Sequence, residues 1–133
     1  MVPERAMVPA MARILVIDDE PEIRSMLADV LSEEGHEVVD APDGRRGLAL
    51  QRERAADLVI TDIFMPEQEG IETILELRQA FPRVKIIAMS GGGERLRTLD
   101  YLPAAGHLGA VRTLAKPFEL DAMLALVSEV LGA

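Results

Sequence analysis

The chain has no cysteine, no tryptophan and only two histidines, His36 and His107, among its 133 residues. Without thiols there can be no disulfide, no thiolate nucleophile and no sulfur-ligated zinc or iron–sulfur centre. Two imidazoles are too few for a histidine-rich transition-metal site, so any metal should be a hard cation held by oxygen. Aromatics are scarce too: three Phe and one Tyr give no platform on which bases would stack. Positive charge is in deficit, with 14 Lys and Arg against 23 Asp and Glu, a net charge of −9. That balance leaves no basic footprint for nucleic acid or an anionic membrane surface. No apolar run approaches the roughly 20 residues of a membrane span. These absences predict a cytoplasmic protein that binds neither nucleic acid nor membrane.

What is present is ordinary for a folded domain, with 49% hydrophobic and 28% charged residues in a length that suits a single core. Residues 1–11, MVPERAMVPAM, carry no periodicity and no leader-like apolar run, and read as a flexible N-terminal extension. The folded domain is expected over 12–133. Within it, short apolar runs alternate with amphipathic segments. Ile14–Ile17, Val38-Val39, Leu58–Thr61, Val84–Met89 and Ala110–Ala115 read as strands. Helices are expected from about Pro21 to Gly35, over 44–54, over 71–81, over 94–102 before Pro103, and over 119–131. In the first, Ile23, Met26, Leu27, Val30 and Leu31 fall on one face. The third puts Ile71, Ile74, Leu75 and Arg78 in phase, and the last points Leu120, Met123, Leu124, Val127 and Leu131 inward. Such regular alternation predicts a parallel sheet covered by helices on both faces.

In doubly wound sheets the site lies beyond the carboxyl ends of the strands. Asp18 and Asp19 follow the first strand, Asp62 ends the third, Ser90 the fourth and Lys116 the fifth. Far apart in sequence, they converge at one sheet edge. Three carboxylates in one hollow repel one another unless a cation neutralises them, and Mg²⁺ prefers such hard oxygens. A lysine and a hydroxyl beside them would receive an anion, so the set fits phosphoryl transfer, which depends on positioning and charge neutralisation. Asp62, central in the sheet and opposite Lys116, is the best candidate nucleophile. Singly, each residue has a plainer reading: an Asp after a strand often caps a helix, and Ser90 before three glycines suits a turn. Five such coincidences at five strand ends are needed to explain the whole set that way.

VIDDEPEIR, TDIFMPEQEGIE, KIIAMS and LAKPF, in that order and spacing, resemble the receiver domain of two-component response regulators over about residues 12–132. The resemblance implies a flavodoxin-like, doubly wound α/β fold, with a five-stranded parallel sheet in the order 2-1-3-4-5 and five helices. It implies Asp62 as phosphoacceptor, Asp19 as direct Mg²⁺ ligand, Asp18 as the acid holding metal water, and the backbone carbonyl of Phe64 as a further ligand. Ser90 and Lys116 would grip the phosphoryl oxygens, and Lys116–Pro117 would be cis. A histidine kinase or histidine phosphotransfer protein would be the donor, meeting the helix-1 surface, where Ile23, Met26 and Val30 form either a docking ridge or, with Leu27 and Leu31, part of the core.

Thr113 stands where the family usually has an aromatic that moves on phosphorylation, so the usual hydroxyl–aromatic switch is altered here. Phe64 and Gly92 stand where relatives with acids or amides orient a water, which predicts slow self-hydrolysis. Gly91, Gly92, Gly93 and Pro103 point to the segment after Ser90 as the element that changes on phosphorylation. The leading expectation is a stand-alone receiver, monomeric or weakly dimeric. It would act as a phosphorylation-controlled switch or phosphorelay shuttle rather than an enzyme. The alternatives are an Mg²⁺-dependent phosphatase with Asp62 as nucleophile and an unphosphorylated binding scaffold.

Overall fold

The computed structural model describes residues 12–63, 70–90 and 112–132. Five strands, β1 (Arg13–Ile17), β2 (Glu37–Ala41), β3 (Leu58–Asp62), β4 (Lys85–Ser90) and β5 (Arg112–Ala115), form one sheet in the order β2-β1-β3-β4-β5. All four pairings are parallel. This is the flavodoxin-like order that the motifs imply. Four helices lie among the described residues: α1 (Pro21–Glu33), α2 (Gly44–Glu53), α3 (Gly70–Ala80) and α4 (Leu120–Gly132). The helix expected over 94–102 lies outside the described residues, as do the 1–11 extension, Phe64, Gly91–Gly93 and Pro103.

Burial follows the period of two that a sheet covered on both faces demands. Leu15, Ile17, Val59, Ile86 and Ala88 pack against Leu48 of α2 and Ile74 and Leu77 of α3. Ile14, Val16, Leu58, Ile60, Ile87 and Met89 face the other way, onto Leu27 and Leu31 of α1 and Met123, Leu126, Val127 and Val130 of α4. All five residues of central β3 are buried. The edge strands β2 and β5 alternate or expose theirs. At about 25 cal/mol per Å² of apolar area, these two layers supply the main drive for folding.

Local signals set the helix ends. Pro21 opens α1, where a missing N–H costs nothing. Gly35, at φ 96°, closes it, its N–H donating to the Ser32 carbonyl and that of His36 to the Leu31 carbonyl. The Asp43 side chain caps α2 by accepting from the Arg46 N–H at 2.8 Å. α2 lies so close to β1 that a Cβ on Gly47 would collide with the Ile17 side chain.

Two helix faces differ from the sequence expectation. In α3 the buried residues are Thr73, Ile74 and Leu77, while Leu75 is exposed. A Cβ on Gly44 would overlap Thr73 Oγ1, so the close α2–α3 contact turns Thr73 inward and Leu75 out. In α4 the inward face is Met123, Leu126, Val127 and Val130; Leu120 is exposed, and Leu124 and Leu131 are half-buried. The helix is apolar around most of its circumference, so two stripes sharing Met123 and Val127 fit the sequence equally well.

Candidate functional site

β1 stops at Ile17, and Asp18, Asp19 and Glu20 carry the chain into α1. Asp18 is fully buried, which a carboxylate tolerates only with partners. Each of its polar groups has one. Its N–H donates to the Ala41 carbonyl at 3.1 Å, and its Oδ1 accepts the Glu20 N–H at 2.9 Å. Its Oδ2 accepts from Lys116 Nζ at 2.7 Å, and its carbonyl accepts from Arg24 Nη1 at 2.8 Å.

Asp62 ends β3 at 5% exposure, and its Oδ2 accepts from Lys116 Nζ at 3.3 Å. Asp19 is exposed. The carboxylates of Asp18, Asp19 and Asp62 each bring an oxygen within 4.8 Å of the others. Lys116, immediately beyond β5, also reaches Glu20 Oε1 at 3.4 Å. Burial pulls the Lys116 ammonium toward neutrality, but its hydrogen bond to Asp18 and the charges of Asp62 and Asp18 outweigh that, so its pKa lies above the usual 10.5. Lys116 is therefore a permanent cation at neutral pH.

Ser90 ends β4 opposite Ala115, the residue before Lys116, while Asp62 pairs with Met89. The fold thus carries the ends of β1, β3, β4 and β5 to one edge. The Lys116–Pro117 peptide is cis. Thr113 is exposed on β5, paired with Ala88. Along α1, Leu27 and Leu31 are wholly buried, whereas Ile23, Met26 and Val30 are half-buried at the rim of the same layer. Phe64 lies outside the described residues.

Two contributors escape motif reading. Arg24 is the only cation in α1 and holds the Asp18 backbone, and Glu20 is a third acid on Lys116. The one available signal was position: Arg24 stands a turn and a half after the acidic pair. A cavity of about 640 Å³ opens at the opposite end of the sheet, between Ala12, Ala56, Phe81, Val84 and Leu131, and no residue of the acidic cluster lines it. Among the described residues, no helix is long and apolar enough to cross a membrane.

The donor set suits a hard divalent cation. Three carboxylates converge, one of them fully buried, and no soft ligand stands among them. A parallel sheet with acids and a lysine at its carboxyl edge places the chain in the class of doubly wound domains, whose ligands bind at that edge. The chain belongs to the response regulator receiver domain family, whose model matches residues 14–128. It is 35% identical to the chemotaxis protein CheY of Bacillus subtilis over 121 residues, covering 90% of this chain and 98% of that protein. It is 32% identical to sporulation initiation phosphotransferase F of the same organism, covering 82% of this chain and 85% of that one. Among solved structures it is similar to NtrX from Brucella abortus, with a TM-score of 0.83 and 32% identity, and it spans 91% of this chain but 27% of that longer one. Receiver domains of this family act as phosphorylation-controlled switches in two-component signalling.

Proposed function

We propose that this chain receives a phosphoryl group on Asp62 from a phosphohistidine donor, with Mg²⁺ held by Asp18, Asp19, Asp62 and the Phe64 carbonyl. The observation that carries this reading is Lys116 Nζ bridging Asp18 and Asp62 inside the acidic cluster. An Asp62 carboxylate oxygen forms the new P–O bond as the donor's N–P bond breaks, and the nitrogen keeps the electron pair. The hollow orients Asp62, which is only 5% exposed. Lys116 turns its ammonium from Asp62 to a phosphoryl oxygen, and the Ser90 hydroxyl donates to another. When bound, Mg²⁺ neutralises the charge that three carboxylates and a phosphoryl group bring together.

The donor is a histidine kinase or a histidine phosphotransfer protein, docking on Ile23, Met26 and Val30. The modified domain then signals by protein contact or passes the group onward. Intact mass after incubation with acetyl phosphate and Mg²⁺ tests the reading. The parent gains one phosphoryl mass and Asp62→Asn gains none. A parent that stays unlabelled overturns the proposal in favour of a binding scaffold, and steady turnover of a generic phosphate ester would mark a phosphatase.

A further inference from the structure

We propose that Arg24 is the positioning residue of the acidic cluster: by holding the Asp18 carbonyl it sets the Asp18–Asp19–Glu20 turn that aims the carboxylates at a divalent cation. The inference rests on the reading above that the cluster takes Mg²⁺.

Arg24 has a rigid base. Its own N–H and that of Ile23 both donate to the Glu20 carbonyl at 3.1 Å, in a first turn opened by Pro21. From there Nη1 reaches back to the Asp18 carbonyl at 2.8 Å, the one strong bond the guanidinium makes to the turn. The alternative, that Arg24 is simply an ion pair tying α1 to β2, fits the distances less well. Its Nε lies 3.6 Å from Asp40 Oδ2, beyond hydrogen-bond range, and is buried with no hydrogen-bond partner. Asp40 is itself well exposed, so that contact is screened by solvent. The side chain thus gives up its best carboxylate geometry and keeps the backbone carbonyl.

That carbonyl belongs to the peptide joining Asp18 to Asp19. The Asp18 side chain is already held by the Glu20 N–H and Lys116, so rotation of this peptide chiefly swings the direction in which Asp19 leaves the backbone. Asp19 is exposed, and its two flanking peptides are held by two bonds: the Glu20 N–H to Asp18 Oδ1 on one side and Arg24 to the Asp18 carbonyl on the other. Groups that orient metal ligands from behind commonly change metal affinity by about tenfold or more when removed.

The test uses the full chain, with Arg24→Met, Arg24→Lys and Asp40→Asn beside the parent. In metal-free protein, hydrogen exchange at the Glu20 amide should quicken in Arg24→Met and stay at the parental rate in Asp40→Asn. In a Mg²⁺ titration followed by amide shifts, Arg24→Met should bind about tenfold more weakly. Arg24→Lys, with charge but no planar fork, should fall between, and Asp40→Asn should match the parent. Unchanged Glu20 exchange, parental Mg²⁺ affinity in Arg24→Met, or an equal loss in Asp40→Asn overturns the proposal. A parent that binds no Mg²⁺ overturns the functional reading instead, and the exchange measurement still decides whether Arg24 holds the turn.

Discussion

Lys116 Nζ sits 2.7 Å from Asp18 Oδ2, although 98 residues separate the two in the chain. Asp18 has no exposed surface, and the Lys116 side chain keeps only 12% of its own, so the pair is a buried one. Attraction of this kind barely repays the cost of burying two charges, yet removing one partner strands the other. In the metal-free domain the charge of buried Asp18 is thus answered by Lys116, the same lysine that the proposed function assigns to the phosphoryl group.

Lys116→Met should therefore lower the stability of metal-free protein by about 3 kcal/mol. Mg²⁺ should restore part of the loss, because the cation replaces the missing positive charge. Urea denaturation of both proteins, with and without Mg²⁺, measures this. A variant as stable as the parent would show that Asp18 is satisfied without the lysine.

The raised Lys116 pKa predicts an alkaline limit. The folded value lies above the unfolded one, so the contribution is complete below about pH 10.5 and is lost as pH rises through the folded value. Unfolding free energy followed from pH 9 to 11.5 should fall more steeply in the parent than in Lys116→Met. Parallel curves would contradict this.

The half-buried ridge on α1 should affect protein donors and not small ones. Ile23→Ser and Met26→Ser should slow phosphotransfer from a phosphorylated histidine phosphotransfer domain while leaving the rate with acetyl phosphate unchanged. Leu31→Ala, in the core below, is the contrasting case: it should cost about 3 kcal/mol of stability. Equal slowing with both donors in the ridge variants would remove the docking assignment.

Phe64 follows Asp62 by two residues and has no group that orients a water. Phosphate loss from the labelled protein should be faster in Phe64→Glu or Phe64→Asn than in the parent, read by the decay of the phosphorylated mass. Equal or slower loss in both would refute a role for this position.

Much of this architecture is legible in the sequence because its central strands are monotonous. Leu58–Asp62 is buried at every position, so its β-branched centre, Val59–Thr61, had only one plausible place. The edge strand β2 is harder: Glu37 and Asp40 face solvent around Val38 and Val39, so only the central pair announces itself. The phase of α4 stays open in sequence because Leu120 and Leu124 compete with Leu126 and Val130, and only packing against Ile14, Ile60 and Met89 decides. At the site, Asp18, Asp19, Asp62 and Lys116 stand out because strand ends expose chemistry. Arg24 does not, since it acts on a backbone carbonyl and no side-chain pattern records that.

The near-complete enclosure of Asp62 has a consequence for how a signal written there would be erased. On the proposed reading, a phosphoryl group carried by a residue this enclosed offers little surface to hydrolases that clear phosphate from flexible loops. The lifetime of such a mark would then be set chiefly by the domain's own side chains, a clock built into the proposed acceptor site.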